Sequence, residues 1–499
     1  MISLKKLVLA AYPDYPAKDL PDLAIRGIEC DSRRVEKDYL FVAIRGERLD
    51  GRAYIEEAEK RGASAVVVDG DVPAGAVPRV RVPECRQASS KLAAAFYGEP
   101  AKKLCVIGIT GTNGKTTSSY LIEHLLKKEG KTPGVIGTVS YRFAGKEMPA
   151  VETTPGPLRL QSMMSEMLLA GCTHVVMEVS SHALEQGRTV GIDFAATLFT
   201  NLTQDHLDYH GTMENYFESK VKLFTGLDKN KTAVLNADDR WGMKLPGRIK
   251  AKVMTYGIDA PADLRATDIA APVGSTEFTL KWNVENGRAC PPTPSWRDRS
   301  LRVQLPLMGR HNVYNALGAL GIAEVLGIPL ERAAAALVDF PGVPGRLESV
   351  NEGQNFAVLV DFAHTPDGLE NVLKALSPYK KGKLTVLFGC GGDRDRTKRP
   401  QMAAIAAKYC DFVYLTSDNP RSEEPKAIIE EIKSGLPKGF TRYFVASDRH
   451  KAIRRALMDA REGDIVLLAG KGHERAQIIG KESFPFSDRE EAEKVLRGH

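Results

Sequence analysis

Short apolar runs recur along the chain, and between them apolar positions fall at helical spacing. In the first hundred residues the runs YLFVAIRG (39–46) and ASAVVVDGDVP (63–73) predict strands. Between them DGRAYIEEAEKRG (50–62) predicts a helix that Asp50 is placed to cap. RQASSKLAAAFYGEPAKK (86–103) reads as a helix closing on a Gly/Pro linker, which sets a boundary near Pro100. The strands KLCVIGIT (103–110), THVVMEVS (173–180), ATLFTNL (196–202) and KTAVLNAD (231–238) then alternate with helices such as SSYLIEHLLKKEG (118–130) and PLRLQSMMSEMLLAG (157–171). That alternation predicts a parallel sheet flanked by helices. ATDIAAPVGSTEFTLKW (266–282) and LRVQLPL (301–307) break it as antiparallel strands inserted into or appended to the domain, before the helix GRHNVYNALGALGIAEVLG (309–327). FPGVPGRLE (340–348) is a Pro/Gly-rich hinge. Beyond it the alternation restarts with FAVLVDFAH, LTVLFGCGG, FVYLTSDN and DIVLLAGKG. The pattern predicts an α/β chain of three domains, 1–100, 101–339 and 340–499, without short-period repeats.

Composition narrows the class. A chain of 499 residues exceeds one core. Its 43% hydrophobic and 26% charged residues describe a soluble globular protein. A net charge of +6 with no dense Lys/Arg block suits an anionic small molecule and does not call for nucleic acid. The seven cysteines form no C-x-x-C pair, which argues against a disulfide framework or a cysteine zinc site. The apolar stretch at the start is too short for a membrane span or a convincing signal peptide, so a reducing cytoplasm is the expected setting.

GITGTNGKTTS (108–118) follows a strand and opens a helix, the context of a phosphate loop. Gly111, Thr112, Asn113 and Gly114 would turn backbone N–H groups toward phosphate oxygens at a helix N-terminus. Lys115 would reach the β- and γ-phosphates, and the Thr116 hydroxyl, followed by Thr117, would bind Mg²⁺. The strict G-x-x-x-x-G-K-[ST] pattern fails at one place, where its first glycine falls on Ile109. A nucleotide site alone leaves kinase, motor, GTPase and ligase open. Asp418-Asn419-Pro420-Arg421 (DNPR) follows a strand; by itself it reads first as a surface turn of ordinary turn formers.

The loop TGTNGKTT resembles that of Mur ligases and folylpolyglutamate synthases. CDSRRV and LFVAIRGERLDG resemble the N-terminal UDP-binding domain of Mur ligases. MEVSSHAL, NLTQDHLDYHGTMENYF, GRHNVYNALGA, GVPGRLE, DFAHTPDGL, GCGGDRDRTKRP, DNPR and GKGHE are similar, in order, to Mur ligases that add the third residue of the peptidoglycan stem peptide. The resemblance implies a UDP-substrate-binding domain, a central ATP-binding domain with a small antiparallel sheet, and a Rossmann-like amino-acid-binding domain. It implies an ATP- and Mg²⁺-dependent ligase that joins meso-diaminopimelate to UDP-N-acetylmuramoyl-L-alanyl-D-glutamate, as a cytoplasmic monomer in cell-wall synthesis. L-lysine as the amino acid, a folylpolyglutamate synthase-like ligase and a P-loop small-molecule kinase are the alternatives.

Site roles follow from the same resemblance. Asn312, Arg346 and Asp361 match adenine, phosphate and ribose contacts. Cys30, Ser32, Glu47, Arg48 and Leu49 match the uridine-diphosphate pocket, although ERL departs from the pattern there. Thr153, Thr154, Ser180, Gln186 and Arg188 match the muramoyl-dipeptide contacts. Arg394, Asp418, Asn419, Pro420, Arg421, Gly470 and Glu474 match the diaminopimelate contacts. Thr116, Glu178, His206 and Lys220 match a magnesium centre. Lys220 shares a helix face with Phe217 and Phe224, where its amine either snorkels to water or is desolvated. The resemblance implies that it is carboxylated.

Overall fold

The computed structural model describes residues 1–499 except 17, 19, 47, 48, 271–274, 283, 286, 287, 290–298 and 499. Two compact units make up the chain. The first comprises Met1–Gly108, Gly130–Thr197 and Ser219–Lys231; the second comprises Ile109–Glu129, Leu198–Glu218 and Thr232–His499.

After the helix Leu4–Ala11, the first unit carries four parallel strands in sequence order: β1 (Gly27–Glu29), β2 (Tyr39–Val42), β3 (Ala63–Val68) and β4 (Arg79–Arg81). Their near-continuous apolar runs reflect burial on both faces. Leu40, Val42, Ala65 and Val67 pack with Ala88 and Leu92 of the helix Cys85–Phe96, while Phe41, Val66 and Val68 pack with Ile55 and Ala58 on the other face. Asp50 does cap, but it starts a 3-10 turn, Gly51–Tyr54, by accepting from Arg52 N at 3.0 Å; the α-helix proper is Ile55–Lys60.

The same unit carries β5 (Cys105–Thr110), β6 (Pro133–Ile136), β7 (Ser140–Phe143), β8 (Lys146–Pro149), β9 (His174–Glu178) and β10 (Phe194–Phe199), in the order β8-β7-β6-β9-β5-β10. The ends of β5 and β10 cross into the second unit. Strands β6 and β9 are parallel, and β7–β8 is an antiparallel hairpin on the edge.

In the second unit β11 (Thr232–Asn236), β12 (Lys252–Gly257), β13 (Leu264–Ala270), β14 (Thr276–Trp282) and β15 (Arg299–Leu305) lie in sequence order. The expected antiparallel strands are β13, β14 and β15. They are not a separate layer: β13 pairs in parallel with β12 through Tyr256 and Leu264, so the meander extends the sheet.

The C-terminal part holds β16 (Glu348–Val350), β17 (Ala357–Asp361), β18 (Leu384–Phe388), β19 (Phe412–Leu415), β20 (Tyr443–Val445) and β21 (Ile465–Ala469), in the order β16-β17-β21-β18-β19-β20. All pairings are parallel except that of the edge strand β16. Side-chain alternation builds two cores. Val386, Val413 and Leu467 face the helices Pro366–Leu376, Lys398–Tyr409 and Pro425–Lys433. Leu387, Tyr414 and Leu468 face Arg449–Asp459 and Asp488–Leu496. A hairpin, β22 (Ala476–Ile479) with β23 (Glu482–Pro485), follows. Among the described residues Cys30, Cys85, Cys105, Cys172, Cys390 and Cys410 are free thiols; Cys290 lies outside them.

Candidate active site

The phosphate loop leaves β5 and enters the helix Lys115–Lys128. Gly111 has φ 150°, and a Cβ there would run into the Thr200 hydroxyl, so only glycine lets the loop close on the strand end beside it. The segment after β10 buttresses the loop. Thr112 N donates to Asn201 O at 2.8 Å, Asn113 N donates to Asn201 Oδ1 at 3.0 Å, and the Thr200 hydroxyl donates to Asn113 O at 2.6 Å. Lys115 Nζ donates to the carbonyls of Gly111 and Thr112, both at 2.8 Å, which places its ammonium over the loop. Thr116 and Thr117 are buried at the helix start, and Asn312 is buried with its amide donating to Met308 O.

Residues of the hinge and of the segment after it reach this loop. Arg346 lies 4.8 Å over the Phe362 ring, and its Nη2 is 3.4 Å from the Thr116 hydroxyl. Asp367 accepts from Asn113 Nδ2 at 2.8 Å. Asp361 is buried; its oxygens accept from Leu347 N at 2.7 Å and Ala363 N at 2.8 Å, which pins the hinge to β17. Burial raises the Asp361 carboxyl, against the Arg346 charge and these N–H donors.

Next to the loop, His206 opens a short helix with φ 54°, and its ring sits edge-on to Tyr216. The preceding Asp205 is buried with Lys398 Nζ at 3.8 Å and His364 Nε2 at 3.8 Å. Burial works against the Asp205 carboxylate, yet His206 first, then Lys398 and His364, hold it well below the usual range. His364 is itself pushed down to about 4 by burial and by Lys398. Asp205, Lys398 and Asp367 each lie inside a motif quoted above but were not among the candidate residues, because nothing in the sequence shows that Asp205 meets Lys398 or that Asp367 meets Asn113.

In the first unit the dipeptide candidates converge. The Thr154 hydroxyl donates to Glu178 O at 2.8 Å and accepts from Ser180 N at 3.0 Å. The Ser180 hydroxyl caps the helix Ser181–Glu185 through Ala183 N. Arg188 grips Gln186 Oε1 with two nitrogens and reaches Glu152 and Thr154 O, each at 2.7 Å. Thr153 meets the Thr138 hydroxyl at 3.1 Å. Thr138, absent from the sequence-level candidates, fixes Glu178 by donating its N–H and its hydroxyl, each at 2.9 Å, to the two carboxylate oxygens. Lys220 is 1% exposed and does not snorkel; Phe217 and Phe224 are buried on the same helix, Met213–Thr225.

Of the four candidate magnesium ligands, Glu178 and Lys220 belong to the first unit, and Thr116 and His206 to the second. Among the described residues no three His, Cys, Asp or Glu side chains gather as a metal site. The expected set contains only two of those types, since it also uses a hydroxyl and a modified lysine.

The uridine candidates are less uniform. The Ser32 hydroxyl donates to Glu57 at 2.9 Å. Burial pushes the Cys30 thiol up to about 12, so it is neutral at physiological pH. Leu49 is 65% exposed, and Glu47 and Arg48 lie outside the described residues.

The DNPR turn is buried, not a solvated surface turn. Asp418 and Asn419 are 7% and 4% exposed. Arg421 takes the left-handed conformation, φ 50°, and its backbone pairs with β22 through Ile478 O at 3.1 Å and Gly480 N at 2.7 Å. Arg421 Nη1 donates to Gly392 O at 2.8 Å. Burial and the Arg394 guanidinium push the Arg421 guanidinium down, opposed by Asp418, Glu474 and Asp393. The Asn419 amide donates to Glu474 Oε2 at 2.9 Å. Burial and Asp418 raise the Glu474 carboxyl. Gly470 N donates to Asp361 O at 3.0 Å, which ties the end of β21 to β17. Pro420 stiffens the turn between Asn419 and Arg421, and Gly392 N donates to Asn419 O at 2.9 Å. Arg421, Asn419, Asp418 and Glu474 thus form one cluster of mixed charge at the C-terminal ends of β19 and β21, where open α/β sheets bind ligands.

Comparison with known proteins agrees with this architecture. Family models match in three places: Mur ligase family, catalytic domain, over residues 24–97; Mur ligase middle domain over 109–323; and Mur ligase, glutamate ligase domain, over 345–472. A protein of Gloeobacter violaceus named UDP-N-acetylmuramoyl-L-alanyl-D-glutamate–2,6-diaminopimelate ligase is 44% identical over 491 residues, covering 98% of this chain and 97% of its own. One of that name from Bacillus cereus is 43% identical, covering 97% and 96%. A solved structure bearing the same name superposes with a TM-score of 0.68 at 32% identity, covering 99% of both chains. A Mycobacterium tuberculosis folylpolyglutamate synthase shares the fold, with a TM-score of 0.63 at 18% identity over 83% of this chain and 95% of that one. By three matching domains and near-full-length relatives, the chain belongs to the Mur ligase family.

Proposed function

We propose that the chain is an ATP-dependent, ADP-forming ligase that joins meso-2,6-diaminopimelate to UDP-N-acetylmuramoyl-L-alanyl-D-glutamate in peptidoglycan synthesis. The observation that carries this reading is the 44% identity, over 98% of the chain, to a ligase of that name. The D-glutamyl carboxylate attacks the γ-phosphorus of ATP; the bond to the β-phosphate oxygen breaks, and an acyl phosphate and ADP form. The diaminopimelate amine then attacks the carbonyl carbon, phosphate leaves the tetrahedral intermediate, and the amine's proton passes to solvent. Lys115 and Arg346 neutralise phosphate charge as it develops. Gly111, Thr112, Asn113, Gly114 and Thr117 cradle the phosphates, and Asn312 and Asp361 take the adenine and ribose. Thr153, Thr154, Ser180, Gln186 and Arg188 hold the dipeptide; Cys30, Ser32, Glu47, Arg48 and Leu49 take the uridine end.

Thr116, Glu178, His206 and a carboxylated Lys220 would hold Mg²⁺. The Thr138-fixed carboxylate, the buried Thr116 hydroxyl and the buried Lys220, once carboxylated, are donors that fit a mainly oxygen-liganded ion. When bound, the ion would neutralise phosphate charge. Arg421 and Arg394 receive the distal carboxylate of diaminopimelate, while Asp418 and Glu474 receive its distal ammonium. Asn419, Pro420 and Gly470 shape the pocket. The enzyme acts in the cytoplasm as a monomer; no helix of the described residues is long and apolar enough to cross a membrane.

The test is phosphate release with ATP, the UDP-muramoyl-dipeptide and a panel of amino acids. Release that requires meso-diaminopimelate is expected. Equal turnover with L-lysine would overturn the amino-acid assignment, and a stable phosphorylated product without an amine would point to a kinase.

A further inference from the structure

Lys471 is fully buried at the C-terminal end of β21, with 0% exposure. A lysine that deep needs partners: its Nζ lies 5.9 Å over the Phe486 ring, and its polar partners Asn419, Glu474 and Asp418 belong to the amino-acid pocket proposed above. Its Nζ donates to Asn419 Oδ1 at 3.1 Å and Glu474 Oε2 at 2.8 Å, and stands 3.9 Å from Asp418 Oδ1. Asn419 Oδ1 also accepts from Ile478 N at 2.9 Å, so the same oxygen ties the turn to the hairpin. The ammonium therefore does two jobs. It compensates two carboxylates crowded on one side of the pocket, and it fixes the direction of the Asn419 amide, whose nitrogen is thereby turned to Glu474.

We propose that Lys471 is a specificity-determining, positioning residue: the buried counter-ion of Asp418 and Glu474 that lets the pocket admit an amino acid carrying a distal carboxylate. The proposal rests on the diaminopimelate reading. With Lys471 present, the two carboxylates are partly spoken for, and a ligand bringing another carboxylate toward Arg421 meets little repulsion. Without it, Asp418 and Glu474 disfavour that carboxylate and favour a ligand whose distal end is only an ammonium, such as L-lysine.

The test is steady-state kinetics of Lys471→Gln and Lys471→Arg in the full-length enzyme. Lys471→Gln, which removes the charge and keeps a donor, should raise KM for meso-diaminopimelate at least tenfold and cut its kcat/KM ratio over L-lysine at least tenfold. KM for ATP and for the UDP-muramoyl-dipeptide should stay within about twofold. Lys471→Arg, which keeps the charge, should retain most of the ratio. Should the variants not fold, the wild-type enzyme supplies the second measurement: meso-diaminopimelate amidated at its distal carboxylate should bind as weakly as L-lysine. An unchanged amino-acid ratio in Lys471→Gln, or equal binding of the amidated ligand and meso-diaminopimelate, overturns the proposal. Failure of the wild-type enzyme to use diaminopimelate at all would instead strike the functional reading on which it rests.

Discussion

Lys220 shows what one side chain's surroundings dictate. At 1% exposure on a helix face shared with Phe217 and Phe224, it is buried where a solvated lysine would be out of place, and the carboxylated form proposed above would present oxygens there. Lys220→Ala is expected to be inactive and partly rescued by acetate, and ¹³C-bicarbonate should give a carbamate resonance in the wild-type enzyme. Full activity in CO₂-free buffer without that resonance would sink the assignment. Lys115→Ala should lose ATP turnover while keeping its thermal unfolding transition; near wild-type turnover would remove Lys115 from the phosphate site. Arg421→Ala should lose about 2–3 kcal/mol of diaminopimelate recognition, roughly 30- to 150-fold in kcat/KM, because a charged hydrogen bond is forfeited. An unaltered diaminopimelate-to-lysine ratio in that variant would return the turn to a scaffolding role.

Among the elements, the hinge and the GKGHE turn depend on each other. Gly345 has φ 66°, and a Cβ there would collide with the backbone of Gly472 and His473. Gly345→Ala should therefore cost about 3 kcal/mol or more in chemical denaturation, with a fall in kcat as Arg346 is displaced. Gly439→Ala, at φ 80° with open space around it, should cost only about 1 kcal/mol. Equal losses in the two variants would mean that the collision at Gly345 is relieved by backbone movement. The long strands and helices were legible because burial on both faces writes continuous apolar runs, as in VLLAG or VVVDG. The hairpins β7–β8 and β22–β23 were not. Their strands are four residues long and carry exposed polar groups such as Lys146 and Glu482, so their period-2 signal is too weak to read.

Across the second unit, buried ionisable groups link stability to pH. Burial pushes His311 and His364 down to about 4. A histidine depressed below its ordinary value near 6.5 binds its proton more readily when unfolded, so stability falls as pH drops from about 6.5 toward 4. The raised Asp361 acts in the opposite sense, since its folded form takes up a proton first. Denaturation midpoints should decline between pH 7 and 5, and less steeply in His364→Gln; identical slopes would show that His364 is not held neutral. The candidate site was legible where a motif carries its own chemistry, as in TGTNGKTT; DNPR is built of ordinary turn formers and gained a role only through the family resemblance. The site was not legible where distant residues meet, as with Asp205 and Lys398, 193 positions apart, or Thr138 and Glu178. A single sequence gives charge and spacing, whereas burial and partnership come from the fold.

The parallel bridge between Arg421 and Ile479 stitches the β22–β23 hairpin to the DNPR turn. At its tip, Gly480 has open space around it. A dye attached at Lys481 would thus stand outside the pocket yet ride on the strand that holds it. Its fluorescence would give a direct optical signal of amino-acid occupancy, independent of turnover, by which inhibitors of that pocket could be ranked.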